Sequence, residues 1–409
     1  MDSLLNKTKI AQKELLTLSD NDRNKLLENM NKALLQHKDE IIKANLIDLE
    51  NALKNGMSKS MQDRLKLDDK RIENIAESIL DIRKLPDYIG EVIEELNPKS
   101  TIKVKKIRVP FGVICVIFES RPNVCVDIAS LTLKSANACV LKGGSDAINT
   151  NKALVKVMKD AIKDVVNPDV ITLIESTDRK TTDELITKKE YIDLLIPRGS
   201  KGLINYVVTN SKVPFIETGA GNCHLYVHED ADIDMAIKIA INAKYQRPSV
   251  CNSIETILVD DKIKDKFLPR LYDEFSKLNI EMRGCEKTRS VIKVNEATED
   301  DYYKEYNDYI CAIKVVNDLS EAINHINKYS TKHSETIVTN NDKAKYRFFN
   351  EIDSACVYHN ASTRFSDGGE FGFGAEIGIS TSKLHARGPM GLREITTYKY
   401  IIEGNGEVR

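Results

Sequence analysis

The sequence lacks several patterns that would assign a chain quickly to a class of protein. Its eight cysteines form no CxxC pair and no paired Cys/His spacing, which excludes a disulfide framework and a zinc site. Lys and Arg total 60 against 62 Asp and Glu, so a net charge of −2 provides no field that favours nucleic acid or an anionic membrane. The longest strongly apolar stretch, residues 109–118, contains Gly and Pro and is too short to span a bilayer.

These absences favour a soluble protein of a reducing cytoplasm. Residues 1–16 mix charges into their apolar positions and do not resemble the uninterrupted core of a signal peptide. A length of 409 residues predicts two or three domains, each able to bury a core without covalent staples.

The first 95 residues carry amphipathic helical patterns, which we interpret as packing elements. Apolar residues recur at three and four positions across residues 19–55, which predicts one long helix with Ser19 or Asp20 as its N-cap and Gly56 as its stop. A second helix is predicted over residues 69–84.

From residue 101 onward, apolar strand patterns alternate with helical patterns. Strands are predicted at residues 112–118, 137–142, 170–175, 192–197 and 213–218, and the alternation restarts after Gly221. This rhythm indicates parallel βαβ units, so we predict an α/β fold with a doubly wound sheet and a second α/β domain. The alternating segments 101–110 and 396–403 predict exposed strands, which could pair with each other or with a neighbouring subunit in a homodimer or homotetramer.

Cys251 is the strongest candidate for a reactive side chain. It lies in the turn-like stretch 246–253, between a helical pattern and an apolar β-type run, where a thiol can be accessible and still be held by rigid elements. Cys115, Cys139 and Cys311 lie inside apolar runs, where a thiol behaves as a small buried hydrophobe. Cys285 has exposed neighbours, and we interpret it as incidental.

The usual GxGxxG fingerprint of dinucleotide-binding domains does not occur in the sequence. Two glycine-containing turns remain as candidates for binding a phosphate group, residues 142–145 at a strand end and residues 198–202 at a strand-to-helix junction. Backbone amides at a helix N-terminus with a neighbouring Lys or Arg attract a phosphate.

Six blocks of sequence carry a resemblance to a known family. The chain resembles the aldehyde dehydrogenase superfamily and, within it, the gamma-glutamyl phosphate reductase family. The blocks are PFGVICVIFESRPNVCVD (110–127), LKGGSDA (141–147), LIPRGSKGL (195–203), GNCHLYV (221–227), NAKYQRPSVCNSIET (242–256) and DGGEFGFGAEIGISTSKLHARGPMGL (367–392).

The resemblance implies a division of the chain into three parts. A Rossmann-type, NADP-binding domain would comprise residues 1–98 and 117–222, with part of 360–380. An α/β catalytic domain carrying the cysteine would comprise residues 223–359, and strands in 99–116 and 381–409 would form an oligomerisation flap.

The resemblance also assigns roles to individual residues. Cys251 matches the nucleophile that holds the acyl group as a thioester, and Asn123 matches the asparagine that forms the oxyanion hole with the Cys251 backbone N–H. The implied cofactor contacts are Lys142, Gly143, Gly144, Ser145, Arg198, Gly199, Ser200 and, at the nicotinamide ribose, Glu305. NAD-preferring relatives often carry Glu where this chain has Ser145, so the resemblance favours NADPH, although the neighbouring Asp146 weighs against it.

The implied activity is the NADPH-dependent reduction of L-glutamyl 5-phosphate to L-glutamate 5-semialdehyde and phosphate, the second step of proline biosynthesis from glutamate. Planar, permanently charged arginines suit the anionic groups of such a substrate. The candidates for substrate binding are Arg121, Arg247, Lys383, His385 and Arg387. The intermediate could be received from glutamate 5-kinase as a functional partner.

Glu217 departs from what such a reductase needs. It stands 34 residues before Cys251, the spacing of the general-base glutamate in oxidising members of the superfamily. Activated water would waste an acyl intermediate that awaits hydride, so we interpret Glu217 as a polar residue without that role.

Three alternatives stay open. A CoA-acylating aldehyde dehydrogenase would keep the fold and change the acyl acceptor. A cysteine hydrolase would use His224 or His385 as its base and need no nucleotide. A non-catalytic relative would not be expected to retain Cys251 and Asn123.

Overall fold

The structure is a computed structural model that describes residues 1–99 and 101–408. Backbone contacts divide the chain into two compact units. The first comprises Met1–Glu217, Gly372–Gly378 and Met390–Arg409, and the second comprises Thr218–Phe371 and Ile379–Pro389. The roles expected for residues 1–98 with 117–222, for 223–359, and for 99–116 with 381–409 stay predictions.

The first unit begins with a group of helices. They are α1 (Asp2–Leu15), α2 (Asp20–Gln36), α3 (Lys38–Lys54), α4 (Lys59–Leu65) and α5 (Asp69–Lys84). Of the two residues considered as the N-cap, Ser19 caps α2, through a capping box with Asp22. At the end of α3, Gly56 has a φ of +71°, a left-handed conformation that ends the helix at little steric cost.

The prediction of one long helix across residues 19–55 was wrong. The helix ends at Gln36 and a new one begins at Lys38, because His37 has a φ of −104° and a ψ of 18°. Hydrophobic periodicity reports which residues are buried, and a single non-helical residue leaves it almost unchanged. The helix predicted over residues 69–84 is confirmed as α5.

A parallel sheet forms the centre of the first unit. Its strands lie in the order β5-β4-β3-β6, and the elements are β3 (Val113–Phe118), α6 (Asn123–Lys134), β4 (Ala138–Gly143), α7 (Ile148–Ile162), β5 (Ile171–Leu173), α8 (Arg179–Leu185), β6 (Leu194–Arg198) and α9 (Lys201–Asn210). Short 3₁₀ helices cover Ser145–Ala147 and Pro168–Val170. All six residues of β3 and of β4 are buried, as expected for strands covered on both faces.

The strand predicted at residues 213–218 was wrong as a regular strand. Phe215 forms an isolated parallel bridge with Leu195, supported by two backbone hydrogen bonds. Pro214 has no N–H to donate, which accounts for the ladder not extending along this segment.

A separate antiparallel sheet in the first unit joins both exposed strands predicted from the sequence. Its order is β1-β2-β16, from β1 (Val92–Leu96), β2 (Lys103–Pro110) and β16 (Thr396–Glu403). The register runs from Thr396 opposite Pro110 to Glu403 opposite Lys103. The two segments therefore pair within one chain. Strand β1 was not expected from the sequence.

The second unit is built on a larger parallel sheet with the order β10-β9-β11-β8-β7-β12-β13. Its strands are β7 (Cys223–Val227), β8 (Ile254–Asp260), β9 (Glu281–Gly284), β10 (Asn295–Glu296), β11 (Ile310–Val316), β12 (Ser334–Val338) and β13 (Cys356–His359). Its helices are α10 (Ile233–Tyr245), α11 (Lys264–Lys277), α12 (Glu286–Arg289), α13 (Glu299–Tyr303), α14 (Leu319–Tyr329) and α15 (Asp342–Glu351). A 3₁₀ helix covers Thr363–Phe365, and β14 (Gly378–Ser380) and β15 (Gly388–Met390) are short strands.

Alternate residues of the central strands enter two different cores. Leu225 and Ile257 pack in the cluster that contains residues of α10 and α11. Tyr226 and Leu258, one position further along each strand, pack in the cluster that contains residues of α14 and α15. Helices therefore cover both faces of this sheet, which confirms the predicted α/β class. Among the described residues, no helix combines the length and apolar character needed to cross a membrane.

Candidate active site

Cys251 lies in the loop between α10 and β8 and is partly buried. Six other cysteines are buried, and burial raises the pKa of the Cys139 and Cys311 thiols to about 12, so these stay protonated. Cys285 is partly buried like Cys251, but its sulfur lies 3.3 Å from the Thr288 hydroxyl and accepts the Val315 N–H at 3.4 Å. Burial therefore leaves Cys251 and Cys285 as the accessible thiols, and the turn-like block around Cys251 favours it as the reactive one.

The backbone of Cys251 packs directly against Gly221. A β-carbon placed on Gly221 would overlap the carbonyl group of Cys251 and lie 2.5 Å from its Cα. Two residues further on, the Cys223 Sγ donates to the Cys251 carbonyl oxygen at 3.2 Å. The segment leading into β7 thus sets the position of the Cys251 backbone, and this gives the GNC sequence at 221–223 a structural reason.

Glu305 also holds the Gly221 backbone, through a hydrogen bond. The Gly221 N–H donates to Glu305 Oε1 at 2.8 Å, across the turn between α13 and β11. One carboxylate oxygen of the residue expected to bind the nicotinamide ribose is thereby committed to the segment that supports Cys251. Its role toward a cofactor stays a prediction.

A buried ion pair flanks the Cys251 loop. Lys244, in the last turn of α10, donates to Glu255 on β8 with an Nζ–Oε2 distance of 2.6 Å, and both side chains are almost fully buried. Burial raises the pKa of the Glu255 carboxyl to about 8, although the Lys244 charge opposes this shift. The pair joins the two elements from which the loop emerges. Sequence analysis did not identify it.

Asn252, next to Cys251, is bound by the turn at 363–366. Its side-chain N–H groups donate to the carbonyl oxygens of Ser366 at 2.9 Å and Arg364 at 3.3 Å. Its own carbonyl oxygen accepts the Thr363 hydroxyl at 2.6 Å, and its side-chain oxygen accepts the Arg364 guanidinium. Sequence analysis missed this turn because polar residues far apart in the chain carry no local signal of contact.

The cations of the segment 383–387 share one carboxylate. Asp353 accepts Lys383 Nζ at 2.6 Å and Arg387 Nη2 at 2.8 Å, and these two charges hold the pKa of Asp353 far below its usual range. His385 is exposed between them, and Arg247 is exposed in the Cys251 loop. The charges of Lys383 and Arg387 are therefore compensated within the protein.

His224, one base considered for a hydrolase, is fully buried in β7. Its Nδ1 lies 3.0 Å from Glu335 Oε2, and the same carboxylate oxygen accepts the His224 backbone N–H at 2.7 Å. A side chain sequestered in this way cannot activate water at a solvent-accessible thiol, which argues against this base.

Asn123, in the first unit, is the first residue of α6. Its side-chain N–H donates to Asp127 Oδ2, one turn along the helix, at 3.0 Å. Burial raises the pKa of the Asp127 carboxyl to about 6, opposed by the Asn123 hydrogen bond and the Arg198 charge. An amide carries two N–H groups, so this contact orients Asn123 and leaves one donor for a ligand. Arg121 precedes it in the turn after β3.

Lys142 lies at the end of β4 and is only 4% exposed. Its Nζ donates to the Gly143 carbonyl oxygen at 3.1 Å, and it has no acidic partner within 4.0 Å among the residues that the structure describes. Burial lowers the pKa of its ammonium group. A buried cation of this kind is costly unless a ligand supplies the opposite charge.

The glycines after Lys142 lie close to polar side chains. A β-carbon on Gly143 would overlap the side chain of Asn151, and one on Gly144 would overlap that of Asp146. Ser145 is exposed at the start of its 3₁₀ helix, and the Asp146 carboxylate accepts the Ser120 hydroxyl.

A carboxylate occupies the other predicted phosphate turn. The Ser200 N–H, at the N-terminus of α9, donates to Glu119 Oε2 at 2.7 Å, and a β-carbon on Gly199 would lie 2.5 Å from the same oxygen. Arg198 is the last residue of β6. For the Ser200 amide to bind a phosphate, the Glu119 carboxylate would first have to move.

Known proteins are similar to this chain along almost its whole length. The family model described as the aldehyde dehydrogenase family matches residues 1–308. The gamma-glutamyl phosphate reductase of Halothermothrix orenii is 51% identical over 401 residues, covering 98% of this chain and 96% of that protein. That of Nautilia profundicola is 49% identical over 410 residues and covers 100% of both. The crystal structure of the enzyme of that name from Thermotoga maritima matches with a TM-score of 0.97 at 47% identity, covering 100% of this chain and 99% of the other.

Proposed function

Since this chain belongs to the aldehyde dehydrogenase family, we propose that it reduces L-glutamyl 5-phosphate to L-glutamate 5-semialdehyde and phosphate with NADPH, in proline biosynthesis. The observation that carries the proposal is the position of Cys251, an accessible thiol held by Gly221, Cys223 and the turn that binds Asn252. The choice of substrate is supported by the relatives called gamma-glutamyl phosphate reductase, which are 51% and 49% identical to this chain over nearly its full length.

The first step is acyl transfer to the cysteine. The Cys251 thiolate attacks the γ-acyl carbon, the bond from that carbon to the phosphate oxygen breaks, and phosphate leaves with the electron pair. The Asn123 amide and the Cys251 backbone N–H donate to the oxyanion that forms on the way. Removing a single donor of this kind typically lowers kcat by about 10²–10³-fold.

Lys142 is the residue whose environment fits a phosphate-bearing dinucleotide, because its buried charge has no acidic partner among the described residues. Ser145 places no negative charge beside it, and Glu305 would contact the nicotinamide ribose through its second carboxylate oxygen. NADPH, when bound, would supply the hydride that reduces the thioester carbon. The aldehyde forms when the bond from that tetrahedral carbon to sulfur breaks and Cys251 is regenerated as a thiolate. Glu217 takes no part, since water activation would hydrolyse the thioester.

The CoA-acylating alternative shares the cysteine and differs in the group that exchanges with the thioester. The reaction run from the aldehyde side separates the two: semialdehyde and NADP⁺ should give NADPH when inorganic phosphate is added and not when CoA replaces it. NADPH formation with CoA alone would overturn the proposal in favour of the alternative. A hydrolase would turn over an ester without any nucleotide.

A coupled assay with glutamate 5-kinase, ATP and NADPH tests the forward direction. NADPH should be consumed only when both enzymes, glutamate and ATP are present, because the acyl phosphate must be made first. We also propose that the chain acts in the cytoplasm as a homo-oligomer, in which the exposed Tyr400 and Ile402 of β16 face another copy.

A further inference from the structure

We propose that Arg364, together with Arg247, binds the phosphate group that leaves when Cys251 is acylated. This inference rests on the proposed function and adds to it a specific residue for the leaving group. Arg364 was not among the residues that the sequence suggested for substrate binding.

The geometry of Arg364 ties it to the Cys251 loop. Its Nε donates to the Gln246 side-chain oxygen at 3.0 Å, and its Nη1 donates to the side-chain oxygen of Asn252, the residue that follows Cys251. Gln246 and Asn252 stand on either side of Cys251 in the sequence. The guanidinium is therefore fixed at two points by the loop that carries the thiol, and Nη2 takes part in neither contact.

The partners of Arg364 are neutral, so its charge is not compensated by contact. Neither Arg364 nor Arg247 has an acidic side chain within 4.0 Å among the residues that the structure describes. By comparison, Lys383 and Arg387 share the Asp353 carboxylate. A partly buried guanidinium held by two amide oxygens presents its remaining donors to an anion at little further cost in side-chain entropy.

The charged groups around Arg364 are consistent with an anion site. Burial and the Arg247 charge lower the pKa of the Arg364 guanidinium, while Asp367, Cys251 and Glu370 raise it. Both carboxylates are exposed, and Asp367 Oδ1 accepts the Gly369 N–H at 2.9 Å. The positive charges of Arg364 and Arg247 repel each other. A dianion bound between them would offset this repulsion.

Phosphate is the anion that this position fits. In L-glutamyl 5-phosphate, the bridging oxygen is bonded to the carbon that Cys251 attacks, whereas three carbons separate that carbon from the α-carboxylate. Arg364 interacts electrostatically with the Cys251 thiol. We therefore infer that it lies nearer to the phosphate of the bound substrate than to the α-carboxylate. Its donors stabilise the charge that grows on phosphate as the carbon–oxygen bond breaks, and no oxidant or reductant enters this step.

The test is the reverse reaction, with semialdehyde, NADP⁺ and inorganic phosphate as substrates. Arg364→Gln should raise the KM for phosphate by about 10- to 100-fold, the loss expected for a charge-assisted contact, and leave the KM for semialdehyde and NADP⁺ within about twofold. Arg364→Lys keeps the charge but not the planar guanidinium group. Its KM for phosphate should therefore lie between those of wild type and Arg364→Gln. Arg270→Gln is the matched control, because Arg270 is exposed and pairs with Asp234.

Several results would overturn the inference. One is an unchanged KM for phosphate in Arg364→Gln. Another is a rise in the KM for semialdehyde alone, which would assign Arg364 to the α-carboxylate. An equal rise in the KM values for phosphate, semialdehyde and NADP⁺ would indicate that Arg364 only supports Asn252, and this result would also overturn the inference. If Arg364→Gln does not fold, phosphate protection of Arg364→Lys against thermal unfolding decides, and protection equal to wild type contradicts phosphate binding. Wild-type protein inactive with phosphate would instead refute the proposed function.

Discussion

Gly221 and Cys251 are packed so closely that a side chain on the first would overlap the carbonyl group of the second. Gly221 also donates its N–H to Glu305, and Cys223 donates its thiol to the Cys251 carbonyl oxygen. The residue that we propose as the nucleophile is thus held through its backbone carbonyl group. Two contacts to the Cys251 carbonyl group, and a third that fixes Gly221 itself, explain how a loop residue can be held in one position.

Gly221→Ala should displace the Cys251 loop, since the added methyl group meets backbone atoms that cannot rotate away. We expect a loss of about 2–4 kcal/mol in the free energy of unfolding, or a fall in kcat of about 100-fold where the protein still folds. Denaturant titration and the rate of Cys251 alkylation measure the two effects. Gly202→Ala is the stability control, because the nearest atom to an added β-carbon there is 3.9 Å away. Wild-type stability and alkylation in Gly221→Ala would contradict this packing.

Asn123→Ala should lower kcat by about 10²–10³-fold with a smaller change in KM, because the amide stabilises charge that develops only during reaction. Steady-state kinetics in the forward coupled assay measure it. A kcat within about threefold of wild type would exclude Asn123 as an oxyanion donor.

The Asp127 carboxyl has a pKa raised to about 6, and the direction of the shift fixes its effect on stability. A carboxyl with a raised pKa stabilises the folded state below its ordinary pKa, and this contribution is lost as the pH rises through about 6. Relative to Asp127→Asn, the wild type should therefore lose at most about 3 kcal/mol of unfolding free energy between pH 4 and pH 6. Denaturant titrations across this range provide the measurement. Parallel curves for the two proteins would refute the shifted pKa.

Lys142→Met should weaken NADPH binding by about 10- to 100-fold, because it removes the buried ammonium group that we propose contacts the 2′-phosphate. NADH binding should fall less, since NADH lacks that group. Calorimetry with each nucleotide separates the two. Lys152→Met is the control, as Lys152 is half exposed on α7 and pairs with Glu175. Equal losses for NADPH and NADH in Lys142→Met would assign Lys142 to another part of the cofactor.

Local signals in the sequence were sufficient for much of the fold. Each correctly predicted feature depends on neighbouring residues: the helix start at Ser19 or Asp20, the buried strands at 113–118 and 138–143, and the C-terminal strand at 396–403. The break at His37 was not, since the same faces stay buried on both sides of it. Strand β1 was missed because its five residues are exposed and show no alternation.

The candidate site divides in the same way. Cys251 could be selected from its turn residues and from the resemblance of the surrounding block to a family. Arg364, Lys244 and Glu255 could not, because their contacts join residues through the folded sheet or across more than a hundred positions of sequence. Nor could the sequence show that Lys383 and Arg387 share Asp353, or that Glu119 accepts the Ser200 N–H. A sequence shows which residues are charged, whereas only the folded structure shows which of these charges are paired with an opposite charge.

The most direct test of the account is phosphate-dependent reduction of NADP⁺ by glutamate 5-semialdehyde with Cys251→Ala, measured beside wild type and Cys285→Ala. The account predicts that Cys251→Ala binds NADPH with wild-type affinity and forms no NADPH, because the acyl group has no sulfur to which it can transfer, while Cys285→Ala keeps wild-type turnover. Turnover by Cys251→Ala equal to that of wild type would contradict the thioester mechanism.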